Sequence, residues 1–151
     1  MLVVDSNSSP VHTILHEEPN HADANCRICR LRGVINQTQY QLRERAAYPP
    51  IKTAVGLAVP CIEAWYRCGI DPRVTEAAWL SGMQSGPLPY AKIGLKRGVY
   101  GTERPSLLLE EKRASEEATR LVQNLTLLES LFPNGFGILA RDVRGWLKRG
   151  S

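Results

Sequence analysis

The chain has 151 residues, of which 43% are hydrophobic and 23% charged. That is enough for one folded domain with a core, and it excludes a disordered or low-complexity class. The formal charge is +4, which is modest for a dedicated nucleic-acid binder. Residues 1–90 hold 8 Lys/Arg and 8 Asp/Glu, whereas residues 91–151 hold 11 and 7, so the whole surplus lies in the C-terminal part. No apolar run approaches the ~20 residues of a membrane span. The opening MLVVDSNSS lacks the basic start and apolar stretch of a secretion signal. The expectation is an intracellular protein, cytoplasmic or nuclear, with four reduced cysteines. No membrane partner is expected.

In chain order, helix signals dominate. Ser9-Pro10 reads as an N-cap with Pro at the first helical position, opening VHTILHEE until Pro19. Residues 23–33 and 36–48 read as two helices parted near Gly33, the second stopped by Pro49-Pro50. A short apolar helix is expected over 51–58. Pro60 opens another, CIEAWYRC, which Gly69 ends, and Asp71-Pro72 opens RVTEAAWLS, which Gly82 closes. Residues 83–105 are rich in Gly and Pro and read as loop, with one short helix near 88–97. The longest element is expected over 106–132. There Ala114, Ala118, Leu121, Leu125, Leu128 and Phe132 form an a/d seam, ended by Pro133-Asn134-Gly135. A last amphipathic segment carries Leu139, Val143, Trp146 and Leu147 on one side. Strand signals are poor. The expected fold is all-α: a compact helical domain of about six to eight helices with one long helix in the C-terminal half. Residues 1–22 are expected as a partly ordered N-terminal segment, and residues 23–151 as the domain. The seam suits a core helix better than a coiled coil because it covers under three heptads. A homodimer through 106–132 is its alternative use.

The chemistry-bearing feature is Cys26-Arg-Ile-Cys29. Two thiolates two residues apart can reach one ion, and a structural zinc needs two more ligands. His12 and His16, four apart, would offer two imidazoles from one helical face. Cys61 and Cys68 are poorer partners. Seven residues apart on a helix, they lie about 10.5 Å apart along its axis. The expected ligands of a structural zinc are therefore His12, His16, Cys26 and Cys29. The order of histidines and cysteines resembles the His-His-Cys-Cys site of retroviral integrase N-terminal domains, with a far shorter connection, and no residue role is carried over from it. Thr13 follows His12 where a zinc peptidase carries its Glu base, so a hydrolytic zinc is not expected. The competing explanation of all four cysteines is core packing, since free Cys behaves as a small buried hydrophobe.

Residues 74–97 have an order similar to a helix-turn-helix: Ala77 and Ala78 would let two helices cross, and Gly82 would make the turn. Pro89 and Gly94 count against it. The candidate nucleic-acid contacts are Lys92, Lys96, Arg97, Arg141, Arg144, Lys148 and Arg149. No phosphate loop, nucleophile elbow or acid-base pair marks an enzyme. Two function classes remain. One is a regulatory binding protein acting on nucleic acid or a transcription complex, of the kind phages and mobile elements encode. The other is a module that binds a host or cellular protein, anchored by Trp65, Tyr66, Trp79, Tyr90, Tyr100 or Trp146.

Overall fold

A computed structural model of the chain describes residues 1–7, 9–18, 22–45 and 51–148. Two short strands, β1 (Leu2–Asp5) and β2 (Val55–Ala58), pair in parallel, with Leu2 opposite Val55 and Asp5 opposite Ala58. Between them runs α1 (Arg27–Arg45), the long crossover that a parallel pair requires. Five further helices follow: α2 (Ile62–Tyr66), α3 (Glu76–Ser85), α4 (Lys92–Tyr100), α5 (Leu107–Val122) and α6 (Leu125–Leu131). A π-helical turn, Pro133–Gly137, then leads into α7 (Ile138–Lys148). The all-α expectation is thus corrected to a mainly helical fold, with seven α-helices and a two-stranded parallel sheet among the described residues. The longest helix is α1, with 19 residues, in the N-terminal half.

Strand β2 explains the main error. It occupies residues expected as a short helix, and all four of its residues are buried. A strand covered on both faces loses the polar alternation that would reveal it. Its side chains still alternate. Ala54 and Ala58 join one core with Trp65, Leu128, Phe132 and Leu139, while Val55, Leu57 and Val59 join another with Val11, Ile28, Trp79 and Ile138. Helix α1 packs on the Val55–Leu57 side of the strand, and α7 reaches both sides, Ile138 on that one and Leu139 on the other. Glycines set that second approach. A Cβ on Gly56 would lie 3.1 Å from Leu139 Cδ2, and one on Gly135 would collide with the Leu57 carbonyl oxygen.

The start of the π-turn is held by a buried carboxylate. Glu76 accepts hydrogen bonds from Asn134 N (3.2 Å), Asn134 Nδ2 (2.7 Å) and Gly135 N (3.0 Å). These satisfy backbone N–H groups that a helical start leaves without partners. Pro133-Asn134-Gly135, expected as a terminator, does follow the end of α6 and in turn starts the π-turn that leads into α7.

The other corrections are local. The helix expected from Pro10 to Glu18 is only a four-residue 3-10 turn, Ile14–Glu17. The two helices expected over 23–48 are the single α1, within which Gly33 is tolerated; a lone interior Gly costs only about 1 kcal/mol. The stops expected at Pro19 and at Pro49-Pro50 lie outside the described residues. The helix expected over 106–132 breaks at Gln123-Asn124, where Asn124 leaves helical geometry. Its seam faces inward at Leu121, Leu128 and Phe132, which are buried in the chain's own core. Within 1–22, expected as a partly ordered segment, β1 pairs with β2, and Val11 and His12 are buried. No helix among the described residues is long and apolar enough to cross a membrane.

Candidate metal centre

Two short segments meet in front of the Val55–Leu57 side of the sheet. Cys26 precedes the first residue of α1, its carbonyl accepting from Arg30 N at 3.1 Å, and Cys29 lies in the first turn. Opposite them the chain runs through His12 into the 3-10 turn that carries His16. The imidazoles are not stacked along one α-helical face as expected. The turn instead sets their rings edge to face, with centroids 5.2 Å apart.

The result is a compact cluster. His12 Nδ1 lies 3.4 Å from Cys26 Sγ and 3.5 Å from Cys29 Sγ. One ligand atom from each of His12, His16, Cys26 and Cys29 falls within 4.8 Å of all the others. Around a tetrahedral zinc, with Zn–S about 2.3 Å and Zn–N about 2.0 Å, adjacent S and N atoms are roughly 3.5 Å apart. The His12–cysteine distances match that edge, so the four residues could hold a metal such as zinc. His16 Nδ1 is buried with no hydrogen-bond partner among the described residues, leaving a nitrogen lone pair to offer.

The surroundings favour this chemistry. Cys26 and His12 are essentially inaccessible, while Cys29 and His16 are half-buried. Burial pushes the His12 imidazole below its ordinary value, so it is neutral and has a free lone pair. Burial also pushes the Cys26 thiol up, so a cation must displace its proton; the position at the start of a 19-residue helix favours the resulting anion. His12 presents its other nitrogen, Nε2, to Glu17 Oε1 at 3.4 Å. This carboxylate–imidazole pairing is how proteins fix the tautomer and aim of a metal-bound histidine.

Glu17 is itself clamped. Arg141 donates to it through Nη1 (3.0 Å) and Nη2 (2.5 Å), and Arg32 through Nη1 (3.1 Å). The Arg141 guanidinium, with Arg32 beside it, holds the Glu17 carboxyl down to about 2. Arg32 also reaches both oxygens of Asp142 at 3.3 and 3.1 Å. The four ligands thus connect through one carboxylate to α1 and α7. With four protein ligands a tetrahedral ion has no open position, which is the pattern of a structural site.

The remaining cysteines are elsewhere. Cys61 and Cys68 flank α2, both buried in the core around Trp65. His21 lies outside the described residues.

The expected nucleic-acid contacts divide between two helices with different neighbours. On α4, which packs against α2 and α5, Lys92 Nζ donates to Asn7 Oδ1, Lys96 Nζ lies 4.0 Å from Glu63 Oε1, and Arg97 pairs with Glu103. On α7, Arg141 is held by Glu17, and Arg144 donates to Glu129 at 2.9 and 2.5 Å. Lys148 ends α7, and Arg149 lies outside the described residues. The helix-turn-helix geometry is not formed. Gly82 is inside α3, where a Cβ would lie 2.6 Å from Pro89 Cδ, and residues 86–91 separate α3 from α4. That connection is longer than the three or four residues of the motif. Of the candidate anchors, Trp65, Trp79 and Tyr100 are buried, and Tyr66, Tyr90 and Trp146 are half-buried.

Sequence reasoning missed Glu17, Arg32 and Asp142, whose roles depend on long-range contacts. It also missed a second polar cluster at the carboxyl end of β1. There Asp5 Oδ1 accepts from Ile62 N at 3.0 Å. Glu63 is buried, and its Oε2 has no hydrogen-bond partner among the described residues. Burial, aided by Glu63 and Asp5, pushes the Cys61 thiol upward. The signal available was an Asp closing a β-branched run, Leu2-Val3-Val4-Asp5. Compared with models of protein families, with curated proteins and with solved structures, the chain matches none.

Proposed function

We propose that this chain is a small regulatory binding protein, held together by one structural zinc, that acts on nucleic acid or on a transcription complex. The observation that carries the zinc half is the closed set of His12, His16, Cys26 and Cys29, whose ligand atoms lie within 4.8 Å of one another. Such a set neutralises buried thiolates and ties the N-terminal segment to α1, which is a folding role. The nucleic-acid half is supported by charge. Residues 91–151 hold the whole positive surplus, and α7 presents Arg141 and Arg144 beside acidic partners that phosphate could displace.

The test uses the zinc-loaded full chain and a fluorescent duplex, with anisotropy followed from about 50 to 200 mM salt. Affinity should fall linearly on a log–log plot against salt. Absent or salt-independent binding overturns the nucleic-acid half. Native mass spectrometry of the same sample should give one zinc per chain, and a metal-free, fully folded protein overturns the other half.

A second reading has its own observation. Leu107, Leu108 and Val122 on α5 and Leu125 and Leu127 on α6 are exposed. Such a concentration of apolar side chains suits a protein partner better than a phosphate backbone. Stoichiometric copurification of a protein, with no duplex binding, would favour it.

A further inference from the structure

Beside the metal centre lies a groove of about 790 Å³, lined by α1, the stretch before β2 and α7. Its size is that of a small-molecule site. Arg32, Arg43, Lys52 and Arg141 stand around it. On α1 the lining residues Arg32, Ile35, Asn36, Gln39 and Arg43 recur at the three- and four-residue steps of a single helix face.

The charge balance is informative. Arg32 and Arg141 are tied to Glu17 and Asp142, so two of the four cations are offset. Arg43 and Lys52 have no carboxylate partner among the described residues. The groove therefore keeps a surplus of two positive charges, which matches the roughly −2 of a phosphate monoester. Arg32 and Arg141 spend both terminal nitrogens on those carboxylates, which leaves Arg43 and Lys52 as the cations open to an oxyanion.

Part of the lining suits a flat ring. Trp146 lines the groove with its indole fixed, Nε1 donating to Thr53 O at 3.3 Å, and Ile35, Ile51 and Val55 add apolar surface. Asn36 and Gln39 supply amide donors and acceptors at the same face; Gln39 uses Nε2 on Ile51 O (2.9 Å), which leaves its carbonyl oxygen. Gly145 adds an opening, since a Cβ there would meet nothing within 4 Å. A concave site lined by cations, an indole and side-chain amides fits a phosphate joined to a base.

We infer that this groove binds a nucleoside monophosphate, its phosphate held by Arg43 and Lys52 and its base against Trp146. The nucleoside phosphate could be free or could be the 5′-phosphate end of a strand. This assignment does not rest on duplex binding, which is read with a different probe.

The experiment titrates the zinc-loaded full chain with AMP, GMP, CMP and UMP by calorimetry. Inorganic phosphate is titrated alongside, with a short single strand bearing either a 5′-phosphate or a 5′-hydroxyl. At least one monophosphate, or the phosphorylated strand, should bind more tightly than inorganic phosphate. If the phosphorylated strand wins over its hydroxyl twin and over the nucleotides, the source is a strand end; if the nucleotides win, the source is free nucleotide. Lys52→Glu with Arg43→Glu should weaken binding by about tenfold or more. Gly145→Phe, which fills the groove from a position with free space, should do the same without lowering the melting temperature. No binding by any nucleoside phosphate, equal binding of inorganic phosphate, or full binding by Gly145→Phe overturns the assignment.

Discussion

Two pairs of cysteines in this chain sit in opposite chemical company. Cys26 and Cys29 face two imidazoles, with His12 Nδ1 at 3.4 and 3.5 Å from the two sulfurs. Cys61 and Cys68 face Trp65 and aliphatic side chains, and burial, with the carboxyl of Glu63 beside it, raises the Cys61 thiol. Three of the four sulfurs are fully buried, so burial does not tell a ligand from a packing residue. What separates them is the number of further lone pairs within reach of one point. A thiol beside a neutral imidazole such as His12 can give up its proton to a cation, whereas one beside a carboxylate is driven to stay protonated.

That contrast can be broken by mutation. Cys26→Ser together with Cys29→Ser should abolish metal binding and cost more than about 4 kcal/mol in a denaturant melt, because a structural zinc supplies on the order of 10 kcal/mol to a small fold. If that double variant melts like the parent, the first pair is packing like the second. Cys61→Ala or Cys68→Ala should leave the zinc content at one per chain and cost only about 1–2 kcal/mol for the lost contacts and small cavity. Alkylation sharpens the same point: treatment with a strong chelator should expose Cys26 and Cys29 to iodoacetamide well before Cys61 and Cys68, and simultaneous labelling of all four would mean that the metal holds the whole core. The smallest effect on the fold is expected for Glu17→Gln. It keeps the shape but removes the charge behind His12, and should weaken zinc affinity by about 10- to 100-fold in a chelator competition. With zinc in excess its melt should stay close to that of the parent.

The metal cluster was legible because its information is local. The steps His12 to His16 and Cys26 to Cys29 are each about one helical turn, so either a helix or a tight turn brings the partners together. The reading survived even though the segment carrying His16 is a 3-10 turn. Glu17 was adjacent in sequence, yet its role depends on Arg32 and Arg141, which only the fold brings to it. Helical character was legible from periodicity, but the caps lie elsewhere than expected: the start expected at Asp71-Pro72 falls at Thr75, which accepts from Ala78 N at 3.0 Å, while Ser106 opens α5 by accepting from Leu109 N at 3.3 Å. Strand β2 was not, because Val55-Gly56-Leu57-Ala58 is covered on both faces. The break at Gln123-Asn124 was not either, since neither residue is a helix breaker and packing of α6 decides it. The groove draws on three segments far apart in the chain, and no spacing rule reaches that distance.

The two-sided burial of β2 has a consequence for synthesis. One face meets α1 and the strand edge meets β1, both made before β2 leaves the ribosome. The other face gains Trp65 soon after, but both faces wait for the 135–139 stretch, about 80 residues downstream, to close. At roughly 5–20 residues per second that is a delay of about 4 to 16 s, during which a wholly apolar strand is only partly covered. The nascent chain therefore passes through a stage suited to a chaperone that recognises short apolar segments, and slow translation of residues 60–130 should lower the yield of native protein more than slow translation of residues 1–50.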